Sequence, residues 1–324
     1  MTNLPPTAES WWPLFVRELD GSPAAVAATS PQLGDRYWCI GALPGQDRMT
    51  TATTAYAGSV TKQVIAALTA RAVLAQELDP EASIRHLLPG LPAWTSPIRL
   101  QHLVHHTAAL PQPPALAAAL GLPTGLAGES RLDNAAVLAA LSQVEPHGSP
   151  GQAFSYDNTA YVLLAEVLHA VYGVDVADTA RTEVFERLGL SGSWLGGSAP
   201  AVLPGLDPPP RTVGDGGLWT CAADLLRWLA AMNRGMLGAD LTALVQTPGR
   251  LDDGTSLDYA WGIAHRPGPA GMTYLHGGSW AGWRAMTVRG PSTGTAVAIL
   301  AATDNTPAVS AAEINLHRSL AAKP

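Results

Sequence analysis

Ser59 and Lys62 lie three residues apart at the start of the apolar segment AGSVTKQVIAAL. In a helix, residues i and i+3 share a face, so the lysine amine can reach the serine hydroxyl. A serine hydroxyl is a weak nucleophile until a base takes its proton. The pair therefore predicts a nucleophilic serine, with the Ser59 N–H and the positive helix end able to hold an oxyanion.

A simpler explanation for Ser59 is a helix N-cap, whose side-chain oxygen accepts a hydrogen bond from the first turn. Lys62 fits that explanation poorly. A cation in the first turn opposes the positive end of the helix dipole, at a cost of roughly 0.3–1 kcal/mol. Lys62 is therefore interpreted as an amine placed to act on Ser59.

A second polar group, Tyr156 and Asn158, precedes a strongly apolar helix in FSYDNTAYVLLAEVLHAVYG. Tyr156 could act as the base for Ser59 and return the proton to the leaving group. The Asn158 amide could hold Lys62 and hydrogen-bond the substrate. The alternative is that Asp157 or Asn158 caps the helix and that Tyr156 is a wall residue.

A third group lies in YLHGGSWAGWRAM, where a strand runs into glycines. Gly277 and Gly278 fit a sheet edge that a substrate approaches closely. The Ser279 N–H could be the second oxyanion donor, beside that of Ser59. His276 could orient the hydroxyl network or share a proton with Tyr156.

The elements that must position these residues change in type along the chain. Strands are predicted near both ends, and residues between about 80 and 205 have mainly helical spacing. We therefore predict an α/β (α+β) domain over residues 1–324, with a mainly antiparallel sheet built from both ends and an inserted helical lobe. The sheet lobe comprises residues 1–60 and 208–324, and the helical lobe residues 61–207, with a break at PGLDPPPR. The predicted strands are AAVAATS, RYWCIGAL, YAWGIA, MTYLHGG, RAMTVRG and TAVAILAAT.

Composition limits the classes of partner. The 324 residues are 47% hydrophobic and 14% charged, which is typical of a large buried core. The net charge is −7 and no basic cluster occurs, so neither nucleic acid nor an anionic membrane is expected. No leader or membrane span is recognised, and Cys39 and Cys221 are predicted to be reduced, buried thiols. A cytoplasmic protein is expected, and its oligomeric state stays open.

No cofactor or metal is predicted, because the histidines are dispersed and no metal-binding spacing occurs. His102, His105 and His106 are assigned to packing of helix and loop.

Taken together, the chain resembles the serine β-lactamase and penicillin-binding-protein superfamily, in particular its class C β-lactamase-like branch. The three motifs occur in the family's order, as SVTK, YDN and HGG, and the flanks IRLQHLVHHTAALP and GDGGLWTCAADLLRWLAAM are similar as well. The resemblance covers about residues 20 to 310. It implies an α/β/α sandwich and an acyl-enzyme on Ser59. Lys62 and Tyr156 would be the proton-transfer pair, and the Ser59 and Ser279 amides the oxyanion hole.

The chain departs from the family at two places. The usual Lys-Thr-Gly is His276-Gly277-Gly278, so the lysine charge and threonine hydroxyl that help hold a substrate carboxylate are absent. This favours uncharged esters or amides, although Arg284 could still supply a cation. Ala109 stands where glycine is usual, and it is expected to stiffen that loop.

The predicted function is a serine hydrolase acting on a small ester, amide or other acyl donor. An acyltransferase of secondary metabolism and a sensor acylated only once are the alternatives. Trp280 and Trp283 could form an aromatic substrate pocket, although core packing is a simpler use for most tryptophans. HGGSWAG also suggests the nucleophile elbow of an α/β-hydrolase, but RAMTVRGPSTG reads as strand and turn where that fold needs a helix.

Overall fold

The computed structural model of the protein describes residues 11–45, 47–196 and 210–321. Its strands fall into two sheets, with the orders β2-β1-β9-β8-β7-β6 and β3-β5-β4. The strands are β1 (Ala24–Ser30), β2 (Gly34–Ile40), β3 (Ala55–Tyr56), β4 (Trp194–Leu195), β5 (Leu218–Thr220), β6 (Ala264–Gly268), β7 (Gly271–Trp280), β8 (Trp283–Gly290) and β9 (Thr295–Ala301).

All neighbouring strands of the large sheet are antiparallel. β1 lies between β2 and β9, so strands from the two ends of the chain pair directly, with Ala24 opposite Ala301. The prediction of a mainly antiparallel sheet built from both ends is therefore confirmed.

One predicted strand is wrong. YAWGIA forms a loop over most of its length, and β6 begins only at its last residue, Ala264. Gly262 has a φ of +67° within this loop, and a Cβ there would overlap the Lys62 carbonyl oxygen. The apolar residues Ala260 and Ile263 are buried against Tyr274, so a turn packed into the interior mimics a strand pattern.

Helices connect the strands and fill the middle of the chain. They are α1 (Trp11–Glu18), α2 (Thr61–Leu74), α3 (Ile84–Leu87), α4 (Leu100–Val104), α5 (Pro113–Ala119), α6 (Leu126–Glu129), α7 (Asn134–Leu141), α8 (Asn158–Tyr172), α9 (Val176–Ala180), α10 (Glu186–Leu188), α11 (Ala222–Asn233), α12 (Ala239–Val245) and α13 (Thr306–Ala321). Short 3₁₀ turns occupy Gly58–Val60 and Ala93–Thr95, and a π turn occupies Arg181–Phe185.

Two hydrophobic cores lie on opposite faces of the large sheet. Along β1, Ala25 and Ala27 belong to the larger core, which contains residues of α2, α8 and α11. Ala24, Val26 and Ala28 belong to the smaller core, with α1 and α13. This alternation follows the two-residue period of a strand whose two faces are both covered. The result is an α/β/α arrangement.

Some expectations concern residues outside those described. The boundary between residues 207 and 208, and most of the predicted break at residues 204–211, lie there, as do residues 1–10. In the described part, no single helix has the length and hydrophobicity of a membrane span. The helices Asn158–Tyr172 and Val176–Leu188, which meet at 83°, reach that standard only together.

The two cysteines are unpaired, but only one is buried. Cys39 is exposed because its strand, β2, is at the edge of the sheet and is open to solvent over most of its length. The prediction of two buried thiols is therefore wrong for Cys39.

Candidate active site

Ser59 lies in the 3₁₀ turn Gly58–Val60, and α2 begins immediately after it at Thr61. The N-cap of α2 is Val60 and makes no side-chain capping bond, so the simpler explanation for Ser59 does not hold. The Ser59 Oγ instead accepts a hydrogen bond from Lys62 Nζ at 3.1 Å. The serine is half-buried, which leaves its hydroxyl open to the pocket described below.

Lys62 is completely buried, and its amine donates to three oxygen atoms. Besides Ser59 Oγ, the acceptors are Asn158 Oδ1 at 2.9 Å and the Asp215 carbonyl oxygen at 2.8 Å. An ammonium group has three donors, and each is used here. The amine is therefore fixed beside the hydroxyl by α8 and by the segment that precedes β5.

Asn158 is free to hold Lys62 because its neighbour caps the helix. Asp157 is the N-cap of α8, and its Oδ1 accepts a hydrogen bond from Ala160 N at 3.2 Å. Burial of the Asp157 carboxyl raises its pKa to about 7, against the opposing effect of its backbone hydrogen bonds and of Lys62. The middle residue of YDN is thus structural, and the two outer residues face Lys62.

Tyr156 precedes α8 in an irregular segment and lines the same pocket as Ser59. Its ring centroid is 4.9 Å from Lys62 Nζ and 4.4 Å from the centroid of the His106 ring. The Tyr156 hydroxyl makes no hydrogen bond with Ser59 or Lys62. The predicted base therefore lies next to the amine and shares the pocket with the serine, without a hydrogen bond to either.

Strand β7 extends past β6, and its last residues form an open edge beside the Ser59 turn. β6 pairs with β7 only as far as Leu275. On the other side, β7 and β8 are joined by Ala281 and Gly282, whose φ angles of 32° and 77° are both positive, as in a type I′ turn. Along an antiparallel ladder, hydrogen-bonded pairs alternate with non-hydrogen-bonded pairs. The pair next to this two-residue turn, Trp280 and Trp283, is hydrogen-bonded, so the next pair, Ser279 and Arg284, is not. The Ser279 N–H therefore points away from β8. That N–H faces the open edge.

Two glycines allow the Ser59 turn to lie against this edge. A Cβ on Gly278 would overlap the Ala57 carbonyl oxygen and lie 3.1 Å from Ser59 N. A Cβ on Gly58, which has a φ of +52°, would lie 2.8 Å from Ser279 N. Neither position accepts a side chain unless the backbone moves. The close approach brings the N–H groups of Ser59 and Ser279 together, as an oxyanion hole requires.

His276 is buried, and both nitrogens of its ring are engaged. Nδ1 is 2.6 Å from the Gly277 carbonyl oxygen, and Nε2 is 3.1 Å from the Tyr259 hydroxyl. Burial, followed by the charge of Lys62, lowers the pKa of His276 to about 3, so the ring is neutral. Nδ1 then donates and Nε2 accepts. The predicted proton exchange with Tyr156 is not supported, because that ring centroid is 6.0 Å away and both nitrogens have other partners.

The pocket that contains Ser59 has a volume of about 320 Å³ and reaches from Tyr156 to α13. Its strand wall consists of His276, Gly277, Gly278 and Ser279, together with Arg284, Ala285 and Met286 from β8; Thr306, Val309 and Ser310 from α13 close it.

The predicted roles of Trp280 and Arg284 need correction. Trp280 does not line this pocket, since its indole is half-buried and packs against the larger core. Trp283 is a core residue with 1% exposure. Arg284 does line the pocket, but its guanidinium donates to Asp304 Oδ1 at 3.0 Å and to Thr306 Oγ1 at 2.8 Å. It is already paired with a carboxylate and is not a free cation.

Three residues of the site were missed in the sequence. Asp215 contributes a backbone carbonyl, for which the sequence carries no signal. Tyr259, which holds His276, is in the segment read as a strand. His106, whose ring packs on Tyr156, was assigned to packing alone; its Nδ1 accepts a hydrogen bond from Asp157 N at 3.0 Å. Within the described residues, no group of three or more His, Cys, Asp or Glu side chains could hold a metal ion.

Known proteins resemble this chain in sequence and in fold. The chain is 25% identical to penicillin-binding protein 4* of Bacillus subtilis (strain 168) over 241 residues, which are 65% of this chain and 52% of that protein. The chain thus spans about half the length of this relative.

Solved structures have the same fold. A penicillin-binding protein from Bacillus halodurans matches with a TM-score of 0.78 and 20% identity, over 94% of this chain and 98% of that one. A class C beta-lactamase matches with a TM-score of 0.77 and 16% identity, over 97% and 94% of the two chains. A sequence model of the beta-lactamase family matches residues 17–322. The chain therefore belongs to the beta-lactamase family.

Proposed function

We propose that the protein is a serine hydrolase that forms an acyl-enzyme on Ser59 with neutral ester or amide substrates. The observation that carries this proposal is the hydrogen bond between Lys62 Nζ and Ser59 Oγ, inside a pocket that Tyr156 also lines. A buried amine that has no carboxylate partner among the described residues, held on the hydroxyl of a half-buried serine, has no evident structural purpose.

Each group has a role in this chemistry. Ser59 Oγ attacks the substrate carbonyl carbon, and its proton passes to the Lys62–Tyr156 pair. The carbonyl oxygen becomes an oxyanion between the N–H groups of Ser59 and Ser279. The bond to the leaving group breaks as Tyr156 returns the proton to it, and water then attacks the acyl-enzyme to release the acid and restore Ser59.

Neutral substrates are favoured by the charges around the pocket. His276 is neutral, and Arg284 is paired with Asp304. Lys62 has its three donors occupied by oxygen atoms that belong to the protein. A substrate carboxylate buried in this pocket would therefore lose its hydration without gaining a free cation, which is costly.

Labelling with a fluorophosphonate tests the proposal. Intact-mass measurement is expected to show one adduct on the wild-type protein and none on Ser59→Ala. Ser142→Ala, which removes an exposed serine at the end of α7, serves as the matched control and is expected to be labelled like the wild type. No adduct on the wild type, or an adduct that persists in Ser59→Ala, would contradict the proposal.

Turnover separates a hydrolase from a sensor. With p-nitrophenyl acetate, a hydrolase releases p-nitrophenol continuously after the acyl-enzyme has formed. A single stoichiometric burst without a steady state would support the sensor alternative instead.

A further inference from the structure

The half of the pocket that lies next to α13 differs in character from the half around Ser59. Met286 of β8 faces Val309 and Ser310 of α13 across it. Val309 is almost completely buried, and the Arg284 guanidinium, which also lines this half, is tied to Asp304. We call this half, lined by these residues and Thr306, the α13 compartment. Its walls are apolar groups, hydroxyls and the guanidinium of Arg284, which is paired with Asp304.

The compartment opens to Ser59 because Gly277 has no side chain. Gly277 is paired with Met286 across β7 and β8, so a side chain at position 277 would lie on the same face of the sheet as that methionine. A Cβ on Gly277 would lie 3.4 Å from Met286 Cε. A larger side chain would therefore extend into the compartment. Its absence joins the compartment to the catalytic half of the pocket.

Tyr156 connects the compartment to the leaving group of the proposed reaction. Tyr156, the residue that returns a proton to the leaving group, lines the same continuous pocket as Thr306, Val309 and Ser310. The leaving atom must be within hydrogen-bond reach of that hydroxyl. Groups attached to the leaving atom then extend from Tyr156 along the open edge of β7 toward α13.

Resting on the proposed acyl-enzyme chemistry, we propose that the α13 compartment binds a neutral, apolar alcohol or amine, first as the leaving group and then as an acyl acceptor. By microscopic reversibility, an acceptor attacks from the position that the leaving group vacated. The acceptor oxygen or nitrogen bonds to the acyl carbon, its proton passes through Tyr156 and Lys62 to Ser59 Oγ, and the acyl–Ser59 bond breaks. The protein is therefore an acyltransferase whenever such an acceptor fills the compartment, and a hydrolase when water does.

Two measurements on the wild-type protein test the proposal. Across methyl, butyl and hexyl acetate, kcat/KM for acetate release is expected to rise by about two- to fourfold per buried methylene. With p-nitrophenyl acetate as the donor and 1-hexanol as the acceptor, hexyl acetate is expected to form with saturable dependence on hexanol.

A variant of α13 isolates the compartment. Ser310→Phe fills it and is expected to lower the ratio of hexyl acetate to acetate by about tenfold or more, the effect of losing one well-packed group. Asn315→Phe places the same ring on an exposed position of the same helix and is expected to keep the wild-type ratio. Fluorophosphonate labelling of both variants shows that Ser59 is still reactive.

The outcomes separate this proposal from the one on which it rests. Labelled protein with no dependence on the alcohol chain, non-saturable transfer, or equal ratios in the two variants would overturn the compartment and leave the serine hydrolase standing. Absence of any Ser59 adduct would overturn the proposed function itself.

Discussion

Two buried basic side chains lie on either side of the pocket: Lys62 of α2 on the helix side and His276 of β7 on the strand side. The two differ in how they are hydrogen-bonded. On the helix side, the Lys62 amine donates to three oxygens from different parts of the chain. On the strand side, His276 is a neutral ring with both nitrogens hydrogen-bonded. In the proposed mechanism, proton transfer is therefore assigned to the helix side, and backbone donation to the strand side. Four predictions test this division.

The largest effect is expected from Lys62→Met, which removes the amine and keeps much of the buried side chain. We expect kcat/KM for p-nitrophenyl acetate to fall by about 10²–10⁴-fold, the usual range for a lost proton-transfer group. Arg71→Met, which removes a surface cation of the same helix that pairs with Glu183, is the control and should keep its activity. If the two variants have similar activity, Lys62 has no catalytic role.

On the strand side, the two adjacent glycines are expected to respond differently to alanine. Gly278→Ala places a Cβ on the Ala57 carbonyl and should separate the two oxyanion donors, which lowers kcat by about 10²–10³-fold. In Gly277→Ala the new Cβ would lie 3.4 Å from the flexible end of Met286 and 3.6 Å from the Ala285 carbonyl oxygen, which are ordinary contact distances, so the loss should be much smaller. Steady-state kinetics on both variants, with circular dichroism to check folding, decide the matter. Equal losses would argue against the close contact between the Ser59 turn and β7.

The neutral state of His276 predicts a pH dependence of stability. Its pKa is about 3 in the folded protein and near 6.5 when unfolded, so the folded state favours the neutral ring. The contribution of His276 to the free energy of unfolding is therefore fully present above pH 6.5 and is lost as the pH falls toward 3. At pH 5 the free energy of unfolding is lower by about 2 kcal/mol.

Urea unfolding of the wild type and of His276→Gln, at pH 8 and at pH 5, measures this contribution of His276 to stability. The difference in unfolding free energy should move by about 2 kcal/mol in favour of the variant at pH 5. His169→Gln, at an exposed histidine, is the control. A difference that does not change with pH would mean that His276 is protonated within the fold.

The smallest effect is expected from freeing a cation on the strand side. Asp304→Asn removes the exposed carboxylate that pairs with Arg284. Wild-type turnover of nitrocefin, a β-lactam with a carboxylate, is expected to stay below about 10⁴ M⁻¹s⁻¹, and the variant to improve by about fivefold. Kinetics on a neutral ester in parallel serve as the reference. An equal gain on both substrates would show that charge is not the cause.

Local patterns in the sequence were sufficient to predict much of the site. The Ser59–Lys62 contact follows from helical spacing, and Asp157 as N-cap leaves Asn158 available for Lys62. The order of strands and helices along the chain was also sufficient to predict the antiparallel sheet. In each case the controlling interaction joins residues that are close in sequence or recur with a regular period.

The remainder depends on contacts between distant segments. Tyr259 meets His276 only because the loop before β6 turns inward at Gly262, and its buried apolar residues have the same composition as a strand. Arg284 could not be recognised as paired, since Asp304 is near it only in the folded hairpin and helix. The Asp215 carbonyl has no side-chain signature at all.

The loop HHTAALP shows a further limit. Ala109 and His106 both have positive φ, 55° and 58°, a conformation that costs a side-chain-bearing residue about 1–2 kcal/mol. The glycine that is usual at position 109 avoids this cost, and the positive φ that explains it is visible only in the structure.

The open edge of β7 has a consequence for how the protein behaves at high concentration. Unpaired strand edges invite edge-to-edge addition of another chain and, with it, aggregation. Here the part of β7 that extends past β6 begins only at His276, and the Ser59 turn packs against it so closely that neither Gly278 nor Gly58 tolerates a side chain. The recess beside Ser59 therefore sterically excludes an incoming β-strand.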